Sequence, residues 1–262
     1  MKGAMKGVII GLVIAAIGVA VLVAALALNG WKFTRDYEMK TYTAEHINNS
    51  VKAEIMFGKL KTEYYDGDRI VIEYPDTDGF RTEISEEHGT LVFEGPVKKH
   101  WYTFTFGLNG LPETVIKLPS SIKFDTEIEL NAGTVTLGGG QYRNVKVQVN
   151  AGTISFGNAE CDSFSGQVNA GTFTVDDVIT DTFTGEVNAG SFSVKKLDCP
   201  KINVEVNAGS MTVGIIGDKK DFDITTDVSA GSCNVTGQSG GGKKLHVEVN
   251  AGSASVSFSS DD

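Results

Sequence analysis

The sequence predicts an all-β chain, a parallel β-solenoid (β-helix-like) of about 19 residues per rung, preceded by one N-terminal transmembrane α-helix. Three observations carry this. The tripeptide Asn-Ala-Gly, once Ser-Ala-Gly, returns seven times, starting at Asn131, Asn150, Asn169, Asn188, Asn207, Ser229 and Asn250, in steps of 19, 19, 19, 19, 22 and 21 residues. Between the copies, apolar residues recur at spacing two, the period of a strand with one face inward. Residues 8–28 carry no charge at all.

Residues 1–7, with Lys2 and Lys6, are expected on the cytoplasmic side. Residues 8–28, VIIGLVIAAIGVAVLVAALAL, match the roughly 20 apolar residues that cross a bilayer. They exceed the roughly 7–15 of a cleaved signal peptide, although Ala25-Leu26-Ala27 leaves cleavage as the alternative. Lys2 and Lys6 favour an inside N-terminus, and Lys32 and Arg35 partly cancel that bias. The expectation is a single-pass anchor in the cell membrane with everything C-terminal to it extracytoplasmic. Gly3, Gly7, Gly11 and Ala15 form an i+4 stripe that suits a homodimer through the helix, or simply reflects the abundance of Gly in membrane helices.

Residues 29–44 are a stem in which Trp31, Phe33 and Tyr37 suit the membrane interface. Residues 45–111 are a β-rich cap or irregular early coils. Val51/Ala53/Ile55, Leu60/Thr62/Tyr64, Ile70/Ile72/Tyr74, Phe80/Thr82/Ile84 and Leu91/Phe93 alternate between turn signals at Gly58, Asp66-Gly67, Asp78-Gly79 and His88-Gly89. The run 100–108, HWYTFTFGL, is either an exposed aromatic binding surface or a strand that buries one face and rests Trp101 on the cap.

Residues 112–262 are the solenoid repeats. Counting from each Asn as zero, apolar residues fall at +4 and +6 (Ile154/Phe156, Phe173/Val175), singly at +9 (Ala159, Val178, Leu197, Ile216), and at +14, +16 and +18 (Val145/Val147/Val149, Phe164/Gly166/Val168). The gaps between these groups are three, five and five. An odd gap cannot keep one face inward along a straight strand, so each rung turns three corners around a roughly triangular section. Stacked about 4.8 Å apart, seven rungs make a rod on the order of 30 Å long whose apolar edges are covered by neighbouring rungs. Pro112 begins a further rung without the Asn signature, with Ile116 and Leu118 at +4 and +6. The two long steps place their extra residues in one corner, at 217–220 and 237–244. The Gly at +2 suits a corner because it can take positive φ. The Asn at zero is either a hydrogen-bonded ladder or a residue that tolerates left-handed backbone. A polar C-terminus, Ser259-Ser260-Asp261-Asp262, is expected to blunt the exposed end.

A net charge of −10 argues against nucleic-acid binding. Cys161 and Cys199 share position +11 two rungs apart, about 9.6 Å by the strand spacing, too far for a disulfide; Cys233 is a small core residue. The histidines are scattered, and CxxC, HExxH, P-loop and GxSxG patterns are absent. Asp76-Thr77-Asp78-Gly79 lacks the distal Glu of a calcium loop. No catalytic, cofactor or metal site is therefore expected. One outward face stands out: Thr134/Thr136, Thr153/Ser155, Thr172/Thr174 and their successors at +3 and +5 form a flat hydroxyl array. Such arrays resemble those of ice-binding solenoids, but Ser replaces Thr in more than half the rungs and removes the methyl groups such a face needs. Hydroxyls are also ordinary solvent-facing strand residues.

With the rungs laid out, the NAGT, NAGS and SAGS units and the VIKLPSSI lead-in at 115–122 resemble a family of bacterial membrane-anchored β-strand-repeat proteins labelled "putative adhesin" and treated as a domain of unknown function. The resemblance covers residues 45–262. It implies export to the cell surface, sometimes with a link to envelope stress, and supplies no catalytic residues. The expected role is a non-enzymatic adhesin or envelope scaffold contacting a cell-wall polymer, glycan or surface protein. The alternatives are a regulator of envelope-stress signalling, a carbohydrate-active enzyme or an ice-binding solenoid.

Overall fold

The computed structural model describes residues 37–98 and 113–259. The expected membrane helix, residues 29–36 of the stem, and the run 100–108 with Trp101 lie outside the described residues. Among the described residues no helix is long and apolar enough to cross a membrane.

The described residues wind as one 17-stranded sheet. Its strands are β1 (Tyr37–Thr43), β2 (Ser50–Ile55), β3 (Lys59–Tyr65), β4 (Val71–Thr77), β5 (Phe80–Glu87), β6 (Thr90–Lys98), β7 (Thr114–Pro119), β8 (Phe124–Leu130) and β9 (Thr134–Leu137). They continue as β10 (Gly140–Phe156), β11 (Ala159–Asp198), β12 (Lys201–Val206), β13 (Ser210–Ile216), β14 (Phe222–Val228), β15 (Ser232–Cys233), β16 (Lys243–Val249) and β17 (Ser253–Ser259). The period appears directly in the parallel register: Val145 faces Phe164, Thr153 faces Thr172, and Phe183 faces Ile202. All four side chains of the file Val145, Phe164, Phe183, Ile202 are buried.

The third side of the section is richer than the periodicity shows. Tyr142, Cys161, Thr180 and Cys199, all at +11, are buried beside Ala159, Val178 and Leu197 at +9. The gaps become three, three and five, still odd, so three corners remain. Position +11 hides in the sequence because Tyr, Cys and Thr do not look like one apolar file. Cys161 and Cys199 are free thiols separated by Thr180 of the rung between them. Ile216 is not the inward residue expected; Leu197 pairs with Ile215 across a register shift, and Ile215 is the buried one.

The interior is an aromatic column. Tyr142 meets Phe156 edge-on at 5.4 Å, Phe164 stacks on Phe183 at 5.6 Å, and Phe173 on Phe192 at 4.6 Å. Gly166 and Gly185 at +16 make room for these rings: a Cβ on Gly166 would lie 2.6 Å from Phe192 and 2.9 Å from Phe173.

The +2 glycines serve a purpose other than the one their position suggests. Only Gly133 and Gly152 have left-handed φ, 126° and 140°. In the other rungs the reason is close approach: a Cβ on Gly171, Gly190 or Gly252 would lie 2.5 Å from the carbonyl oxygen of the glycine on the next coil. The corner backbones are packed too tightly for any side chain.

The order of stacking departs from the order of sequence. β16 pairs with β12 on one edge and β14 on the other, and β17 lies between β13 and β15. The C-terminal coil is thus inserted beneath the coil that precedes it, and β14–β15, not the C-terminus, forms the end. Val228, at a position expected to be inward and covered, is 45% exposed there. The same device recurs at the other end. β2 pairs with both β6 and β8, and β3 with both β7 and β9, so the coil 50–65 sits between later coils. The β8 half of the Pro112 rung stacks on β10 in the expected register, while β3 separates β7 from β9. The inserted coil is itself a repeat: Val51, Ala53 and Ile55 face Thr126, Ile128 and Leu130, Met56 stands in the Asn place, and Gly58 in the +2 place. Beyond it β4 runs antiparallel to β1 and β7, and β5–β6 is a hairpin turning at His88 (φ 52°) and Gly89 (φ 80°).

Thr126 carries a testable cost. It sits in the +14 file between Val51 and Val145, and its buried hydroxyl has no hydrogen-bond partner. Thr126→Val replaces an unpaired polar group by a methyl and is expected to stabilise the fold by about 1 kcal/mol, seen as a higher urea midpoint with unchanged slope. A lower midpoint would mean the hydroxyl is satisfied.

Candidate binding face

One corner of the solenoid is a continuous amide ladder. The side-chain N–H of Asn150 donates to Asn131 Oδ1 at 2.9 Å, Asn169 to Asn150 at 2.7 Å, Asn188 to Asn169 at 2.9 Å, Asn207 to Asn188 at 2.9 Å and Asn250 to Asn207 at 2.8 Å. Among the described residues the one non-glycine with positive φ is His88, so the asparagines are not there to supply left-handed backbone. Carboxylates flank the ladder: Glu186, Glu205 and Glu248 accept from the Asn two residues later (Asn188, Asn207 and Asn250), and Glu129 of the adjacent coil accepts from Asn150, all at 2.9–3.2 Å. Sequence reasoning missed this second column, although its signal, Glu or Gln two before each Asn, is visible. The ladder's ends are Met56, whose sulfur lies 3.5 Å from Asn131 Nδ2, and Ser229, stacked on Asn250. Ser229 therefore joins the ladder at its end, not in its middle.

Beside this corner lies the hydroxyl face. Thr134, Thr153 and Thr172 stack in register, as do Thr136, Ser155 and Thr174. The columns run on through Ser191/Ser193, Ser210/Thr212 and Ser253/Ser255. Thr134, Thr136, Thr153, Ser155 and Thr172 are exposed and Thr174 half-buried. Ser191 Oγ donates to Thr172 Oγ1 at 3.3 Å, which ties neighbouring rungs together. Ala132, Ala151, Ala170, Ala189 and Ala208 at +1 are also exposed and extend the face as a row of methyls. Positions +1, +3 and +5 carry no charge along these rungs; Lys59 and Lys61 face Thr134 and Thr136 at one end, and the Asp176–Lys195 ion pair at +7 borders the face. In the last coil Asn234 leaves the array: its amide donates to Val256 O and its carbonyl accepts from Val256 N, each at 2.8 Å. Trp101, the other candidate, lies outside the described residues.

The remaining titratable groups are built for structure. Burial raises the thiols of Cys161 and Cys199 to about 11, so neither is a ready nucleophile. Among the described residues no three His, Cys, Asp or Glu side chains come together as a metal site. In the cap, burial alone would raise the Glu86 carboxyl. Hydrogen bonds from Asn48 (2.9 Å), Tyr42 (2.7 Å) and the amides of Glu45 and His46 (2.7 and 3.1 Å) outweigh it, and hold the group at about 2 against an ordinary 4.5. Tyr42 is pushed up to about 12 by burial and by this carboxylate. Because the folded carboxyl titrates below the unfolded one, its contribution is whole above pH about 4.5 and is lost as pH falls toward about 2. Glu86→Gln is expected to remove that slope from the acid-unfolding curve; an unchanged slope would show that the latch contributes nothing.

Comparison with solved structures finds distant likenesses to bacterial proteins. A "putative cell adhesion protein" from Clostridium sporogenes is 14% identical, with TM-score 0.37, over 86% of this chain and 100% of that one. "Putative adhesins" from Bacteroides fragilis and Parabacteroides merdae are each 10% identical, with TM-scores 0.48 and 0.43, over 86% of this chain and 98% and 95% of theirs. Comparison with curated protein sequences finds no match. The family profile is decisive where these distant likenesses are not, since it spans the whole run of coils from the inserted β2 strand onward: matching residues 49–262, it makes this chain a member of the Toastrack family, domain of unknown function DUF4097.

Proposed function

We propose that the chain is a membrane-tethered, extracytoplasmic binding or scaffold module of the cell envelope, not an enzyme, and that the hydroxyl face is its contact surface. The observation that carries this is the face itself: exposed hydroxyls in register over successive coils, next to an amide ladder that ties those coils together. The apolar stretch 8–28 supports the tether. A cell-wall polymer, glycan or surface protein presenting hydroxyls and amides suits such a surface, because repeated donors and acceptors at a fixed pitch favour a repeated ligand.

The test is retention of the full chain, in detergent, on purified cell-wall material and glycan arrays, with protease accessibility in intact cells reporting the side of the membrane. Thr153→Lys together with Thr172→Lys places two charges at the centre of the face and is expected to lower retention at least about tenfold at unchanged thermal stability. Equal retention would remove the face from the proposal. If the chain retains nothing, and deletion of its gene alters only envelope-stress promoter output, the signalling reading replaces this one.

A further inference from the structure

We propose that the β16–β17 coil of one chain can occupy the slot between β12–β13 and β14–β15 of a second copy, giving a coil-swapped dimer. Every contact that seats the coil is made by pairing, not by chain continuity. Lys244–Val249 lie along Lys201–Val206, Lys243–Val249 along Phe222–Val228, and Ser253–Ser259 along Ser210–Ile216. A second copy offers the same slot, so the swapped and unswapped forms share these contacts and differ only in the linker and in association entropy.

Three features favour the exchange. The tether, residues 234–242, is Gly-rich, and Gly240 and Gly242 have open space around them. Its anchors are the buried Val235, the Asn234 clasp on Val256, the two backbone bonds between Gln238 and Ile224 at 2.7 and 2.9 Å, the Gln238 side-chain bonds to Lys219 O and Phe222 O at 2.9 and 3.2 Å, and Gly241 packed on the Phe222 backbone, all of which warming must release. Extended, it reaches on the order of 30 Å. The cover over the slot, β14–β15, is an end coil with a neighbour on one side and with Val228 exposed, so it opens before the interior does. Finally, Val-Glu-Val-Asn-Ala-Gly-Ser occurs at both 204–210 and 247–253. Over those seven residues the incoming coil repeats the coil it lands on. Simple edge-to-edge pairing of two β14 strands is a poorer route, because antiparallel pairing centred on Thr225 would oppose Asp223 and Asp227.

The experiment uses the full chain in detergent, in a Cys233→Ser background. Asn203 and His246 face each other across β12 and β16. One population carries Asn203→Cys and another His246→Cys. They are mixed, warmed to open the end coil, cooled and oxidised. Exchange predicts a disulfide-linked heterodimer at least tenfold above that from Asn203→Cys mixed with Lys195→Cys, a control that a helix-mediated dimer would link equally well. Deleting residues 239–242, so that the coil no longer reaches its own slot, should convert the chain mainly to dimer. The double variant on one chain should crosslink internally without warming. Internal crosslinking alone, with the shortened chain still monomeric, would overturn the exchange. Failure of the double variant to crosslink would overturn the coil's placement and the exchange with it.

Discussion

Gly190→Ala is expected to destabilise the protein by about 3 kcal/mol or more, although it adds one methyl at an exposed corner. The new Cβ would lie 2.5 Å from the carbonyl oxygen and 2.8 Å from the nitrogen of Gly171, and 2.9 Å from Val168 Cγ1. Two of these atoms are backbone, so no rotamer change relieves the clash. On the other side a Cβ on Gly209 would meet Gly190 O at 2.6 Å, so the tight contact repeats along the stack. The coil must tilt away, which pulls on the ladder bonds of Asn188 to Asn169 and Asn207. Stability in a solenoid is a chain of nearest-neighbour interfaces, so a wedge in the middle also splits the cooperative unit. Urea unfolding followed by circular dichroism should show a much lower midpoint and a broadened transition. Ala189→Ser, at the exposed neighbouring position, should leave the curve within about 0.5 kcal/mol. A loss under about 1 kcal/mol for Gly190→Ala would show that the corner yields easily.

Phe192→Ala is the second large effect, about 3–5 kcal/mol. The ring is 1% exposed and stacks on Phe173 at 4.6 Å and against Phe183 at 6.0 Å. Its removal leaves a void in a column whose other members are held by their own coils and cannot collapse into it. Gly166 offers an internal check, because its missing Cβ points at Phe192. Gly166→Ala alone forces the methyl against two rings and should cost about 1–3 kcal/mol. Combined with Phe192→Ala it partly fills the void, so the double variant should be more stable than the sum of the singles by about 0.5–3 kcal/mol. Additive losses would mean that the two positions do not share space.

Much of this was visible in the residues. The 19-residue step sets the register, and the files at +4, +6 and +14 to +18 lie where alternation puts them, because a strand's period of two leaves no freedom once one face is apolar. The columns of the candidate face were visible for the same reason: outward positions follow from inward ones. The +11 file was not, because its mixture of Tyr, Cys and Thr carries no apolar signature. The role of the +2 glycines was only half legible. Their recurrence shows that a side chain is forbidden, and only the contact between coils shows that the cause is a neighbouring carbonyl and not φ. The inserted coil 50–65 carries the repeat spacing through Gly58, but without Asn-Ala-Gly it reads as an irregular cap.

The sequence by itself determined the strand period, the rung length, the inward files and the outward hydroxyl columns, because each depends on residues close together in one coil. The tertiary structure decided the order in which coils lie. Coils built to one rule present nearly interchangeable faces, so local chemistry does not say which sits on which. Placing β16 directly on β12 keeps the amide ladder running from Asn207 to Asn250 and leaves Ser229 at its end. Stacking in chain order would set that serine between two asparagines, where a shorter side chain with a hydroxyl in place of the amide would interrupt the amide-to-amide run.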